Sequence, residues 1–184
     1  MIRKVLFFAT LAATCLAGVN PVYPQTRPDA AVRQMKAGDV VKLGANLSVR
    51  VARAAETPFA GVKVKGQPVV VVLELDGGKK GVTLSYRVDS NPRRSEIFLE
   101  SKATKYAPIA VVEDFPSLGV DNDKEVEILD PKDPGSSLLE FEGKGSVALL
   151  FDLPAVQAKS VMRLSAKLQL AHPKEEKHSF VVLL

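Results

Sequence analysis

The chain has no tryptophan, one cysteine, two histidines and three tyrosines among its 184 residues. Each scarcity removes a class of chemistry. One cysteine cannot build the disulfide framework of a small secreted domain. Two histidines, His172 and His178, both near the C-terminal end, leave little material for a Ser-His-Asp set. There is no Gly-x-Ser-x-Gly elbow either. Stacking platforms for sugars need aromatic faces, and aromatics make up 6% of the chain. Charged residues at 25% and hydrophobic residues at 46% exclude wholesale disorder, collagen and coiled coil.

What is present begins with a leader. Met1-Ile2-Arg3-Lys4 is followed by an uncharged run from Val5 to Ala17. A basic start and an apolar run of about thirteen residues have the form of a secretory signal, shorter than the roughly 20 residues of a membrane span. Small residues at Cys15 and Ala17 predict cleavage after Ala17, with Gly18 as the alternative end. Removing 17 residues from 184 leaves 167, and losing Arg3 and Lys4 leaves 23 basic against 21 acidic residues. The formal +4 charge thus falls to +2, and the apparent basicity is half targeting signal. Cys15 also leaves with the leader, unless it carries a lipid; Ala12-Ala13-Thr14 before it and Leu16 after it depart from a lipid-attachment pattern. The expected location is extracytoplasmic, periplasmic or secreted, with no transmembrane span after cleavage. A domain of this length can bury roughly 70% of its unfolded surface and needs no disulfide.

Prolines 21, 24 and 28 predict an extended spacer over residues 18–37, with one short helix over Ala30–Lys36 capped by Asp29. From there the period is two. Leu47, Val49 and Val51 alternate with polar residues; Val69 to Leu75 reads as a central strand buried on both faces early in its length. Val82 to Val88, Glu96 to Glu100, Tyr106 to Val112 and Glu125 to Leu129 follow. Leu138–Phe141 and Val147–Phe151 flank Gly143-Lys144-Gly145 as a hairpin would. Met162 to Leu170 alternates cleanly, and Ser179 to Leu184 returns after a polar turn. About nine short strands separated by turn residues predict an all-β fold, an antiparallel immunoglobulin-like β-sandwich over 38–184.

Gly38-Asp39-Val40-Val41-Lys42-Leu43-Gly44 with Leu47 to Val51, the run Val69 to Leu75 leading into Asp76-Gly77-Gly78, and Gly145 to Phe151 ending in Asp152-Leu153-Pro154 carry a resemblance. Together they resemble the telokin-like immunoglobulin-type domain of secreted bacterial proteins, a domain of unknown function. The resemblance covers Gly38 to Leu184 and implies the sandwich, not an activity. The chain departs from it in lacking a Lys-Asn pair at the second-strand turn and in a longer, more acidic stretch from Ala110 to Ser136.

Two clusters could carry chemistry. Asp114, Asp121, Asp123, Glu125, Glu127 and Asp130 form an acidic stretch, and hard cations such as calcium take six to eight oxygens from such sets. An EF-hand reading fails at Val126, where glycine is needed, and at Lys132, where a carboxylate is needed. His172 and His178, with Glu175 or Glu176, could hold zinc or copper if their turn closes a hairpin, although Lys174 and Lys177 repel a cation. Lys79-Lys80 and Arg93-Arg94 are the adjacent basic pairs of the chain beyond the leader, each in a predicted solvated turn, which is too little for nucleic acid. The sequence therefore predicts a non-enzymatic module without a cofactor. It would bind a protein or cell-envelope component, most simply through the Asp114–Asp130 region. A periplasmic small-ligand or metal-binding protein is the alternative.

Overall fold

The computed structural model describes residues 32–54, 59–115, 126–130, 132 and 135–184. The predicted leader, most of the spacer, and Asp121, Asp123 and Glu125 lie outside the described residues. In chain order the strands are β1 (Arg33–Lys36), β2 (Val40–Leu43), β3 (Leu47–Ala54), β4 (Gln67–Asp76), β5 (Val82–Arg87), β6 (Ile97–Ser101) and β7 (Thr104–Tyr106). They continue as β8 (Pro108–Asp114), β9 (Val126–Ile128), β10 (Ser136–Phe141), β11 (Lys144–Leu153), β12 (Arg163–His172) and β13 (Glu176–Leu183). A 3-10 turn at Gly78–Lys80 and one four-residue helix, α1 (Ala155–Ala158), complete the described elements. The protein is all-β. No helix among the described residues is long and apolar enough to cross a membrane.

The strands form two sheets. The first runs β1-β13-β12-β5-β10, with β6 and β7 continuing along β12; the second runs β2-β3-β4-β11-β8-β9. Alternation explains how they meet. Leu47, Val49 and Val51 of β3, Val71, Leu73 and Leu75 of β4 and Leu149 and Phe151 of β11 turn one way from the second sheet. Leu164, Ala166, Leu168 and Leu170 of β12 and Phe180 and Val182 of β13 turn toward them from the first. Fully burying such a side chain contributes about 1.5–3 kcal/mol, so this shared core dominates the stability.

The two-faced reading of Val69–Leu75 holds. Val69, Val71 and Leu73 belong to the inter-sheet core, while Val70 joins Ala110, Val112, Ala148 and Leu150 in a second, smaller core on the outer face. Phe59, Val62 and Val64 cover that outer core. The covering segment is tied down by Asp152, whose two carboxylate oxygens accept hydrogen bonds from the Lys65 and Gly66 backbone N–H groups at 3.0 and 2.8 Å. Gly66 must lack a side chain, because a Cβ there would overlap the Leu153 backbone carbonyl. The Phe151-Asp152-Leu153-Pro154 signature is thus a clamp for a distant loop.

Four expectations are corrected. Arg33–Lys36 is a strand, not the end of a short helix, and the sheet begins before Gly38. Its conformation is set by pairing with β13, which overrides a local sequence, Arg-Gln-Met-Lys, compatible with helix. That pairing is parallel, so the sheets are not purely antiparallel; β1 and β13 come from opposite ends of the described chain and need no hairpin between them. The segments flanking Gly143 do not form a hairpin: β10 pairs with β5 in the first sheet and β11 with β4 and β8 in the second. Gly143, at φ 72°, turns the chain from one sheet to the other. The strand foreseen from Tyr106 to Val112 is divided, with β7 folding back on β6 through Lys102 and Ala103, both at positive φ. Neither residue is a glycine or asparagine, so the turn left no sequence signal.

Candidate functional site

Outward-facing residues of the second sheet form an open groove of about 610 Å³ beside the outer core. Strand register builds it row by row. Val40, Arg50, Glu74, Ser146 and Asp114 lie side by side across β2, β3, β4, β11 and β8. One step along, Lys42, Ser48, Asp76 and Lys144 form the next row. Arg50 pairs with Glu74 at 3.3 Å, with both side chains about half exposed. Such a pair contributes little to stability, on the order of 0–1 kcal/mol, so these charges are available to shape a surface. Alternation would have placed Arg50 and Glu74 outward from sequence alone. That they share a row with Asp114 depends on which strands pair.

The acidic residues do not converge as one set among the described residues. Asp114 lines the groove on the outer face. Glu127 stands opposite Val111, on the inner face at the edge of the sheet. Asp130 is exposed in a turn, where Oδ1 accepts a hydrogen bond from the Lys132 backbone N–H at 2.8 Å. The alternation of β8 sends Glu113 inward, where its carboxylate accepts a hydrogen bond from the hydroxyl of buried Tyr86. Burial pushes the Tyr86 phenol well above its usual pKa, Glu113 adds to the rise, a hydrogen bond with Ser137 opposes it, and Glu127 raises it further. The Tyr86–Glu113 hydrogen bond ties β5 to β8 across the two sheets. Sequence reading missed it because Glu113 sits in a run otherwise legible as apolar strand.

The histidines separate in role. His172 ends β12, exposed. His178 lies on β13 at the rim of the core, its side chain 12% exposed, with Nε2 3.4 Å from Glu176 Oε2 in a geometry too poorly aligned for a hydrogen bond. The turn between them does close a hairpin. Among the described residues no group of three or more His, Cys, Asp or Glu side chains is placed to hold a metal ion. Burial pushes the His178 pKa below its ordinary value, Glu176 pulls it up, and nearby Arg33 pushes it down again. A histidine held neutral in the fold takes up its proton more readily when unfolded, so its contribution is present above the ordinary histidine pKa and is lost as pH falls below it. Between about pH 7 and 5 the melting temperature is expected to fall further in the wild type than in His178→Leu. The exposed His172→Gln is the control, and equal slopes in all three proteins would refute the effect.

Tyr86 and His178, both displaced from their ordinary titration, do not line the groove. The groove offers cations, carboxylates and hydroxyls suited to binding a polar partner.

No protein-family profile matches the chain, and no curated protein matches it. Solved structures give distant similarities. A family 123 glycoside hydrolase from Clostridium perfringens is 10% identical over 66% of this chain, with a TM-score of 0.35, and the matched part spans 21% of the hydrolase. The major subunit of aggregative adherence fimbriae type I from Escherichia coli is 13% identical, with a TM-score of 0.32, over 77% of this chain and 97% of the subunit. The yeast delta-COP-I mu-homology domain, solved with a peptide, is 14% identical over 76% of this chain and 54% of that one, with a TM-score of 0.24. At these scores the similarities carry no argument about what the protein does.

Proposed function

We propose that the chain is an exported, non-enzymatic, immunoglobulin-like β-sandwich module that binds a protein or envelope component, with an extended segment of a protein partner adding to the β10 edge. The observation that carries this reading is a pair of sheet edges, each with a single strand neighbour among the described residues. Strand β10 pairs with β5 alone and β9 with β8 alone among the described residues. Tyr86 on β5, the neighbour of β10, donates a hydrogen bond to Glu113 on β8, the neighbour of β9, which puts both edges on the same side of the molecule. Leu138 on β10 is 65% exposed and Ile128 on β9 is 66% exposed. Neither strand carries the lysine or proline that commonly blocks edge pairing. An edge with free N–H and C=O groups and an outward apolar side chain is what strand addition uses, backbone for affinity and side chain for selectivity.

The test uses the whole protein against an envelope extract of the cells that make it. Leu138→Lys with Ile128→Lys is expected to lose the partners that the wild type retains. Its melting temperature should stay within about 2 °C, because exposed substitutions rarely move stability by more than about 0.5 kcal/mol. An identical partner list for both proteins would overturn the reading.

A further inference from the structure

Four connections far apart in sequence meet at one end of the molecule. The Gly77 N–H donates to the Gly143 carbonyl and the Gly143 N–H to the Gly78 carbonyl, each at 2.8 Å, which joins the β4–β5 and β10–β11 connections. A Cβ on Gly78 would lie 3.9 Å from the Asn46 carbonyl oxygen, and one on Gly44 would lie 3.1 Å from Glu176 Oε2. Those approaches bring in the β2–β3 and β12–β13 turns.

This assembly gathers lysines that the sequence keeps apart. Lys42, Ser48, Asp76 and Lys144 occupy one row across four strands. At about 4.8 Å per strand, the two lysines are roughly 14 Å apart at the backbone. Lys79 and Lys80 sit on the 3-10 turn that closes the same end. A cavity of about 410 Å³ opens there, lined by Lys42, Ser48, Asp76, Lys79 and Lys80 together with the turn backbone. Its lining shares Ser48 and Asp76 with the neighbouring groove, whose own lining includes Lys144.

The charge balance is one-sided. None of the four ammonium groups pairs with a carboxylate among the described residues. Asp76, the carboxylate in the cavity lining, already accepts a hydrogen bond from the Gly78 N–H at 2.9 Å. Glu176 pairs with Lys174 at 3.5 Å, and Glu175 accepts a hydrogen bond from Gln169. Glu142, exposed on the neighbouring turn, is the nearby acid with no such partner. With no carboxylate paired to them among the described residues, the four ammonium groups are each able to hold an anionic oxygen as a point charge. A single carboxylate would answer one of them. A phosphate, with up to two charges and several acceptor oxygens, answers two or more. The patch has no interleaved aromatics and is too short to follow a nucleic-acid backbone.

We propose that this end of the molecule, centred on Lys42, Lys79, Lys80 and Lys144, is a recognition site for a phosphate-bearing ligand. The site is independent of the β10 edge and of any partner bound there. The full chain at low ionic strength is titrated calorimetrically with inorganic pyrophosphate. It is also sedimented with phosphatidylcholine vesicles with and without phosphatidylglycerol. The wild type is expected to bind at least one probe, and Lys79→Glu with Lys80→Glu to weaken that binding about tenfold or more. Lys159→Glu, an exposed lysine beside α1, should change it less than about twofold. Should the double reversal shift the melting temperature, Lys42→Gln with Lys144→Gln provides the same test without added acid. Pyrophosphate uptake alone assigns a dissolved phosphorylated ligand, and vesicle uptake alone assigns a lipid headgroup. Binding of neither probe, or wild-type affinity in the reversed protein, overturns the proposal.

Discussion

Replacing Asp89 with alanine is expected to destabilise the protein by about 3 kcal/mol, read as a lower midpoint of urea unfolding. The carboxylate is fully buried in the connection between β5 and β6. Its Oδ1 accepts hydrogen bonds from the Asn91 backbone N–H at 2.7 Å and from Arg94 Nη2 at 3.3 Å, and Oδ2 lies 3.0 Å from Arg94 Nε. The Asp89 N–H donates to Ser95 Oγ, whose hydroxyl donates to the Ile97 carbonyl. These bonds fix more than a turn. Strand β5 pairs with β12 at residues 169–172 and β6 pairs with the same side of β12 at 163–166, so the connection sets how the two strands share one edge. Alanine removes the acceptor for Asn91 and the buried carboxylate that Arg94 and Arg87 approach. Asp89→Asn keeps an oxygen for Asn91 and loses the charge, so it should cost about half as much. A loss below about 0.5 kcal/mol in the alanine variant would show that the connection holds itself without Asp89.

Gly145→Ala should cost about 2 kcal/mol, through overpacking at a single site. Gly145 stands opposite Leu75 in the β11–β4 ladder, on the core-facing side. A Cβ there would overlap the Phe115 ring. That ring fills the vacated volume and packs against Phe141 with centroids 4.5 Å apart. Phe115 follows directly on β8, so its packing holds the end of that strand against the core. Phe115→Ala alone should lose about 2–3 kcal/mol of burial. Combined, the substitutions should cost clearly less than their sum, because the added methyl group then occupies space the ring has left. Strict additivity would mean that the two residues do not compete for one volume.

These two sites show how legibility divides. Ser90-Asn91-Pro92 was readable as a turn, since all three residues favour one. That Asp89 beside it is buried was not, because a carboxylate next to a turn is normally solvated and its burial depends on Arg94 folding back over it. Gly145 was readable as a strand-breaking glycine. It is instead a strand residue whose missing side chain makes room for a phenylalanine thirty positions earlier, and no local pattern records such a distance. The acidic stretch was visible as composition, while its described members, Asp114, Glu127 and Asp130, went to different faces because alternation and strand order decide where each carboxylate points.

The sequence by itself determined that the protein is all-β. A period of two in the apolar residues, with glycine, proline and asparagine at the breaks, leaves a strand as the element that buries each segment's apolar face. It also located the strand buried on both faces, because a β-branched run at Val69–Val72 has no polar side to offer solvent. Tertiary structure decided the rest: which strands pair, that β10 and β11 belong to different sheets, and that β1 lies parallel to β13. Among the described residues it also left β9 and β10 with one strand neighbour each, and it drew Lys42, Lys79, Lys80 and Lys144 to one end. Periodicity is a property of neighbouring residues, set by backbone geometry at short range. Pairing and the gathering of charges depend on contacts between residues tens of positions apart, which form only when the whole core closes.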